Sequence, residues 1–374
     1  MSMHIRDKVY LITSNAEAGT VETLPLADNI EIIANDHLIA TDWSFEANQK
    51  VCITSETSIE TIANRIDLNR ANAIQNLKDK FAFREILSKV YKNYQYNVVK
   101  ATDIEHLKVS EKMVIKPIKG CFGTAVRIIE PSTDFKKLSV ELNNELLKNG
   151  SVYSESVLSK NDFILEQFID GEEYAVDMFY NSKGEPCIVN IYYHPMPRNK
   201  AYLHVIYYSS KEVFDKIYDK AKAFFIELNK LLGVTNFVMH SEFKMNETDL
   251  VPIEINPMRF GGMGLGNLGY HSLKINPYTC FLNDTEPNWQ HIWRGNEDAI
   301  FTFFIAYNAE NKSVNAFKPN REKLKQQFTE VLLEHNFDYQ KQLAFAIYCL
   351  KETKENITKL LAIEFDDYFE SNYP

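Results

Sequence analysis

Two apolar segments that carry acidic and amide side chains at alternate positions constrain this chain most. A short polar stretch separates them, and they read His240-Ser-Glu-Phe-Lys244 and Leu250-Val-Pro-Ile-Glu-Ile-Asn-Pro257. Side chains on a β-strand alternate between two faces, so His240 shares a face with Glu242, and Glu254 shares one with Asn256. If the turn closes symmetrically, Glu242 lies across from Glu254 and His240 across from Asn256. The sequence predicts a β-hairpin with four polar groups on one face. The apolar residues take the other, core-facing side: Phe243, Val251, Ile253 and Ile255.

The polar face of this hairpin has two interpretations. Opposed carboxylates repel at close range, so the face needs a compensating cation or free access to water. Two carboxylates and an amide oxygen are hard ligands of the kind that hold Mg²⁺ beside phosphate groups. An ordinary exposed polar hairpin explains the same pattern equally well. The hairpin alone leaves both alternatives open.

Net charge and cysteine usage exclude several classes of function. The 374 residues include 41 Lys plus Arg and 51 Asp plus Glu, a formal charge of −10, which disfavours nucleic acid as a partner. The five cysteines are scattered without a CxxC pair, so neither a disulfide framework nor a zinc site of cysteines is indicated. The N-terminus has no apolar stretch typical of a signal peptide or membrane anchor. We expect a cytoplasmic protein without a membrane partner.

The remaining sequence alternates short apolar runs with helical segments, which predicts an α/β fold. Runs between Val9 and Ile53 predict a small N-terminal unit, and a helix is predicted from Asn69 to about Tyr91. A second helix covers about 134–148, and a third covers 211–232 and ends at Gly233. Further strands are predicted at 113–117, 125–129, 163–168, 173–180, 186–193 and 202–208. The last hundred residues are predicted as helices with one strand, Leu343–Leu350, and a charged terminal helix.

Two segments are candidates for binding a nucleotide. Lys116 ends a predicted strand before the turn Lys119-Gly-Cys-Phe-Gly-Thr124, and glycines let backbone N–H groups turn toward an anion. The apolar strand Phe163–Ile169 then breaks at Asp170-Gly171, where its exposed backbone groups could read an adenine edge. An ordinary hairpin turn and a strand leaving the core are the alternatives for each segment taken separately.

Taken together and in this order, the segments resemble the ATP-grasp superfamily, from about Val9 to about Phe369. The resemblance implies the ATP-grasp fold, of α/β type with α+β lobes, and a short N-terminal pre-ATP-grasp domain. It divides the chain into residues 1–70 for that N-terminal domain and 71–168 for the small lobe with its preceding helix. Residues 169–374 form the large lobe with a C-terminal extension.

By the same resemblance, ATP and Mg²⁺ are the expected cofactors, with Mn²⁺ as an alternative metal. Lys80 and Lys116 would reach the ATP phosphates, and the loop with Gly120 and Gly123 would cover them, although it holds fewer glycines than is usual. The hinge between the lobes would hold the nucleoside through Glu166, Gln167 and Ile169 at adenine and Glu173 at ribose. The matching Mg²⁺ ligands are Glu242, Glu254 and Asn256.

Three further side chains are candidates for the reaction itself. Arg259 resembles the arginine that contacts the carboxyl group or acyl phosphate in many carboxylate-amine ligases, although it follows Asn256 by three residues where many members have two. His240 stands where several members place an arginine near the phosphates. Arg198, with Lys200, lies in a proline-bearing loop that resembles the lids of some ligases. A solvated basic loop is the alternative for that segment.

The resemblance implies an ATP-dependent ligase that joins a small-molecule carboxylate to an amine through an acyl phosphate, releasing ADP and phosphate. A purine-pathway-like or carboxylating enzyme and a non-catalytic nucleotide-binding regulator are the alternatives. A homodimer is compatible with this family. Gly264-Leu-Gly266-Asn-Leu-Gly269 also matches GxGxxG, but a dinucleotide fingerprint begins directly after a strand, and this one does not. We expect residues 261–269 to form a flexible, substrate-facing loop.

Overall fold

The structure is a computed structural model that describes residues 8–14, 18–91, 94–120, 123–149, 155, 158–196 and 205–372. Its strands form a three-stranded, a four-stranded, an eight-stranded and a two-stranded sheet. The first three sheets follow one another along the chain, at residues 9–53, 96–167 and 172–352. None of the described helices combines the length and apolarity needed to cross a membrane. The domain bounds given above stay a prediction.

The N-terminal sheet is parallel, with strand order β2-β1-β3. Its strands are β1 (Val9–Thr13), β2 (Ile30–Ala34) and β3 (Lys50–Ile53), and its helices are α1 (Ala18–Val21), α2 (Asn35–Ile39) and α3 (Ile59–Ala63). Strand β3 is buried at every position, as expected for a parallel strand that is covered on both faces. The backbone N–H of Ile53 donates to the carbonyl of Met258 at 2.8 Å. This contact brings the end of the N-terminal sheet to the end of the predicted hairpin.

The second sheet is antiparallel, with order β4-β7-β5-β6. Its strands are β4 (Tyr96–Lys100), β5 (Met113–Pro117), β6 (Arg127–Ile129) and β7 (Asp162–Gln167), and its helices are α4 (Leu68–Lys78), α5 (Lys80–Leu87) and α6 (Phe135–Asn149). Leu138, Leu142 and Leu146 are spaced to share one face of α6, and that face packs on the sheet in one core cluster. The predicted helix at 134–148 and the strands at 113–117 and 163–168 are confirmed.

The single helix predicted from 69 to 91 is wrong, because the chain breaks at Asp79. Asp79 has an extended backbone (φ −82°, ψ 109°), and its side chain accepts from the backbone N–H of Ala82. The backbone N–H of Lys80 donates to Ile118 instead of continuing the first helix. An aspartate can cap a helix within a run of helix formers, and here it separates α4 from α5.

The large sheet is antiparallel throughout, with order β12-β11-β8-β9-β10-β13-β16-β15. Its strands are β8 (Glu172–Tyr180), β9 (Pro186–His194), β10 (Ile206–Ser210), β11 (Phe237–Met245), β12 (Leu250–Pro257), β13 (Ile300–Tyr307), β15 (Glu330–Asn336) and β16 (Ala344–Glu352). The predicted helix at 211–232 is confirmed as α7 (Lys211–Leu232), and Gly233 ends it with a positive φ of 64°. The smaller elements are α8 (Leu268–Leu273), α9 (Pro277–Leu282), α10 (Trp289–Ile292), β14 (Phe317–Pro319), α11 (Arg321–Lys325), α12 (Lys354–Leu360) and β17 (Phe369–Ser371).

The prediction for the last hundred residues is right for the short helices α9 to α12, of which α12 is charged, and incomplete for the strands. The predicted strand is present as β16, but β13 and β15 also extend the large sheet, and the described chain ends in β17, which pairs with β14, instead of a helix. Strand β13 reads Ile-Phe-Thr-Phe-Phe-Ile-Ala-Tyr and is buried at all positions but the last. Burial on both faces removes the alternation by which a strand is recognised. Strand β10 begins at Ile206, and residues 202–204 of the strand predicted there lie outside the described residues.

Candidate active site

The predicted hairpin forms with the predicted register. His240 lies across from Asn256 and Glu242 across from Glu254 in the antiparallel pair of β11 and β12. The register then shifts, so that Phe243 lies across from Pro252. This bulge turns Ile253 to the cavity, which corrects its assignment to the core. Phe243 and Ile255 are buried as expected.

A cavity of about 390 Å³ lies between the four-stranded sheet and one face of the large sheet. It brings together predicted site residues that are up to 143 positions apart, between Lys116 and Arg259. The predicted site residues that line it are Lys116, Gly123, Glu166, Gln167, Ile169, Glu173, His240, Glu242, Glu254, Asn256 and Arg259. The polar face of the hairpin is therefore the wall of a cavity, not an exposed surface.

The carboxylates of Glu242 and Glu254 form the acidic part of this wall. Burial, together with the negative charges of Glu254 and Glu173, raises the pKa of Glu242 to about 8. Lys80 compensates part of this charge, because its ammonium lies 3.2 Å from Glu254 Oε1. Among the described residues, no three His, Cys, Asp or Glu side chains converge to hold a metal. Mg²⁺ bound beside phosphates uses one or two protein carboxylates, so this donor set fits that ion.

His240 is held in place by a buried aspartate. Its Nδ1 lies 2.7 Å from Asp177 Oδ1, and the same oxygen accepts from the backbone N–H of Gly261 at 2.8 Å. Asp177 Oδ2 accepts from the hydroxyl of Tyr192 at 2.7 Å. With Nδ1 so engaged, Nε2 is directed toward Glu242 Oε1, 3.8 Å away. The ring is fixed on the acidic side of the cavity.

Arg259 is fixed by a residue that follows the N-terminal sheet. Its Nη2 donates to Glu56 Oε1 at 2.6 Å, and Lys78 forms an ion pair with the other oxygen of Glu56. The amide of Asn256 lies between Glu56 and Arg259, with its nitrogen 2.9 Å from Glu56 Oε1 and its oxygen 3.3 Å from Arg259 Nη2. Burial alone would raise the pKa of Glu56, but Lys78 and Arg259 outweigh it and lower the pKa to about 2.

The opposite end of the cavity, at the hinge, is built around Glu166. Its carboxylate lies 2.8 Å from Arg84 Nε and 2.5 Å from Lys116 Nζ. Burial alone would raise the pKa of Glu166, but these two cations outweigh it and hold the pKa at about 2. Arg84 also donates to the carbonyl of Pro252 at 2.6 Å. The Glu166 carboxylate is thus paired on both sides within the protein.

Glu173, the candidate ribose contact, is also paired. Its Oε1 lies 2.6 Å from His194 Nδ1, and its Oε2 lies 3.1 Å from Lys244 Nζ. Lys244 lines the same cavity. The Glu173 side chain is therefore held at the edge of the hinge by one strand on each side, since β8 pairs with both β9 and β11.

Two described residues of the predicted site, Lys80 and Gly120, are not part of the cavity lining. Lys80 contacts Glu254, which does line the cavity. Gly120 lies behind it, where its carbonyl accepts from Lys78 Nζ at 3.2 Å. Arg198 and Lys200, the candidate lid contacts, lie outside the described residues.

Sequence reasoning missed three buried residues that organise the site: Glu56, Arg84 and Asp177. Asp177 could have been found, because it is the one acid within the apolar stretch Tyr174–Tyr180. Glu56 and Arg84 carry no such signal, since each acts on a partner that is more than 80 residues away in sequence.

The GxGxxG match does not form a dinucleotide-binding turn. Residues Gly262–Asn267 form short 3-10 turns that are interrupted by a kink at Met263 and Gly264; they begin after the end of β12, and the helix that follows is the six-residue α8. Gly264 has a φ of +90°, a backbone conformation that favours glycine. Gly262, Met263 and Leu265 line the cavity, and that the segment faces the substrate stays a prediction.

Two antiparallel sheets that enclose a cavity with charged side chains in its wall, with a parallel N-terminal sheet packed beside them, define the ATP-grasp fold. Residues 109–267 match the model of the ATP-grasp domain. Residues 109–267 therefore form an ATP-grasp domain, and the fold of the chain is the one that the sequence resemblance predicted. No curated protein matches the sequence.

Solved structures agree with this fold over nearly the whole chain. The L-amino acid ligase from Bacillus licheniformis is 16% identical, with a TM-score of 0.66 over 99% of this chain and 99% of that one. Phosphoribosylglycinamide synthetase from Anaerococcus prevotii is 15% identical, with a TM-score of 0.55 over 98% and 99%. Carboxyaminoimidazole ribonucleotide synthase from Aspergillus clavatus, solved with ATP, is 12% identical, with a TM-score of 0.59 over 97% and 98%.

Proposed function

We propose that this protein is an ATP-dependent carboxylate-amine ligase, which forms an amide or peptide bond and releases ADP and phosphate. The observation that carries the proposal is the opposition of Glu242 and Glu254 in a cavity wall that also holds Asn256 and Arg259. The similar fold of an L-amino acid ligase supports the same reaction class.

The cationic residues account for binding of a triphosphate inside an otherwise acidic protein. Lys116 lines the cavity and Lys80 lies 3.2 Å from Glu254, so both are close to the carboxylates that would hold Mg²⁺. Glu242, Glu254 and Asn256 would be the metal ligands. When bound, Mg²⁺ offsets the charge of the transferring phosphoryl group. The structure of a related fold with ATP supports this nucleotide.

The proposed reaction has two steps. An oxygen of the substrate carboxylate attacks the γ-phosphorus, the bond from this phosphorus to the β–γ bridging oxygen breaks, and ADP leaves. The amine nitrogen then attacks the acyl carbon, the bond from carbon to the phosphorylated oxygen breaks, and phosphate leaves as the nitrogen loses a proton. Arg259 would orient the carboxylate and then the acyl phosphate. His240 would stabilise phosphate charge from the other side, and a lid with Arg198 would exclude water, which hydrolyses acyl phosphates.

A carboxylating enzyme is the second candidate, favoured by the fold shared with carboxyaminoimidazole ribonucleotide synthase. ADP release separates the two. The protein is incubated with ATP, Mg²⁺ and pooled amino acids, and in parallel with ATP, Mg²⁺ and bicarbonate. Release that needs amino acids supports the ligase. Release that needs bicarbonate favours the second candidate, and ATP binding without release in any pool contradicts both and leaves a nucleotide-binding regulator.

A further inference from the structure

The cavity continues beyond Arg259 into an apolar part. Its walls come from β10, from β13 and from the turn that follows β12. We call this part the apolar compartment, and its residues are Tyr207, Met263, Leu265, Phe303, Ile305 and Tyr307. All six belong to, or pack against, one hydrophobic cluster.

The compartment is built like a protein core but borders an open volume. Tyr207 lies directly across from Phe303 in the ladder of β10 and β13, and Ile305 shares the face of Phe303, since the two are two residues apart on one strand. Leu265, Phe303 and Ile305 are 4%, 1% and 5% exposed. Their side chains therefore present a preformed apolar surface to whatever enters the cavity.

This surface begins where the candidate reaction centre ends. A Cβ on Gly262 would lie 3.5 Å from Arg259 Nη1, and Met263 and Leu265 follow directly in the chain. Tyr207 lies close enough to Glu242 and Arg259 to be affected by both charges. A molecule whose carboxylate meets Arg259 would thus extend its other end into the apolar compartment.

We propose that the apolar compartment receives the side chain of the carboxylate substrate, and that this substrate is an α-amino acid or related acid with an aliphatic or aromatic side chain. The proposal rests on the proposed ligase function, because that function supplies the substrate carboxylate at Arg259. Among the described residues that β10, β13 and the 262–265 turn contribute to the cavity, none is charged. A charged side chain placed there would lose its hydration without gaining a partner.

The test measures kcat/KM for ADP release with a series of acids: alanine, leucine, phenylalanine, aspartate and lysine. A pool of amino-acid amides supplies the amine, because amides have no free carboxylate to compete as the acid. Leucine and phenylalanine should exceed aspartate and lysine by at least about a hundredfold, since one methylene in an apolar pocket already gives about 10- to 200-fold. ADP release with aspartate or lysine in preference would overturn the proposal and leave the ligase function intact. No release with any acid would overturn both.

A substitution at the rim locates the compartment independently of the substrate series. Tyr307 is half-buried, so Tyr307→Ala enlarges the compartment at a modest structural cost. The ratio of kcat/KM for tryptophan to that for leucine should rise about tenfold. Tyr208→Ala is the matched control, because Tyr208 is also half-buried, lies on the opposite face of β10 and packs on Tyr193 at 5.1 Å. An unchanged ratio in Tyr307→Ala, or an equal change in both variants, would refute the placement.

Discussion

The two ends of the cavity bury carboxylates in opposite ways. At the hinge, Glu166 lies between Arg84 and Lys116, which hold its pKa at about 2 despite its burial. At the hairpin, burial and the neighbouring carboxylates raise the pKa of Glu242 to about 8. A carboxylate whose charge the protein already compensates is a structural element. A pair whose charge is only partly compensated is where the proposed Mg²⁺ would bind.

One helix connects the two ends. Lys80 and Arg84 are four residues apart on α5 and so share a face. Lys80 contacts Glu254 at the hairpin, whereas Arg84 contacts Glu166 at the hinge. The same helix therefore supplies a cation to each end, but the hinge carboxylate Glu166 has a second cation, Lys116, whereas the hairpin has a second carboxylate. The two ends of the cavity therefore differ in how much of their carboxylate charge the protein itself compensates.

The largest expected effect is on turnover. Glu242→Gln removes one proposed metal ligand and the repulsion with Glu254 at once. We expect kcat for ADP release to fall at least about a thousandfold, because a bound metal contributes several kcal/mol to transition-state stabilisation. Without Mg²⁺, the melting temperature should stay equal or rise, since a buried like-charge pair has been relieved. Circular dichroism melts with and without Mg²⁺ provide the second readout.

Glu247→Gln is the control for this variant, because Glu247 is exposed in the turn of the same hairpin. It should keep both turnover and the stabilisation by Mg²⁺. If Glu242→Gln retains normal kcat, or if Mg²⁺ stabilises it as much as the wild type, Glu242 does not bind the metal.

At the hinge, we expect a substitution to lower the free energy of unfolding. Glu166→Gln leaves Arg84 and Lys116 buried without their shared carboxylate, and breaking a buried ion pair from one side costs about 3 kcal/mol. Urea denaturation measures this loss in the free energy of unfolding. Glu172→Gln is the control, because its ion pair with Lys216 is exposed, with side chains 50% and 41% accessible, and such pairs contribute less than about 1 kcal/mol. Equal losses in the two variants would show that the buried ion pairs of Glu166 stabilise the fold no more than an exposed ion pair does.

The stability difference between wild type and Glu166→Gln should depend on pH. The pKa of Glu166 is lowered from 4.5 to about 2 in the folded protein, so the folded state binds fewer protons than the unfolded state between these values. The stabilisation is therefore fully present above pH 4.5 and is lost as the pH falls toward 2, at no more than about 1.4 kcal/mol per pH unit. Urea midpoints of the two proteins at several pH values measure it. A difference that stays constant down to pH 2 would contradict the assignment.

The polar face of the hairpin could be predicted from the sequence, whereas the ion pairs of Glu166 with Arg84 and Lys116 at the hinge could not. The reason is physical. Alternation along β11 and β12 is local, so the faces and register of Glu242 and Glu254 follow from the strands and their turn. The bulge that turns Ile253 to the cavity breaks that alternation, so the alternation does not predict the bulge. The partners of Glu166 come from α5 and β5, and only the packing of three elements brings Arg84 and Lys116 to one carboxylate. The resemblance to a family indicated the segments of the site, but it did not indicate Glu56, Arg84 and Asp177, which hold those segments together.

The smallest expected effect concerns the connecting helix itself. Asp79 caps α5 by accepting from the backbone N–H of Ala82 at 3.0 Å, and Asp134 accepts from the N–H of Lys137 at 3.1 Å at the start of α6. Loss of either cap, in Asp79→Ala or Asp134→Ala, should lower the free energy of unfolding by about 1 kcal/mol. Because α5 carries Lys80 and α6 carries none of the proposed phosphate contacts, only Asp79→Ala should raise the KM for ATP, by a few-fold. Equal KM values in both variants would mean that α5 does not position Lys80 for the nucleotide, and the link between the two ends would then be structural alone.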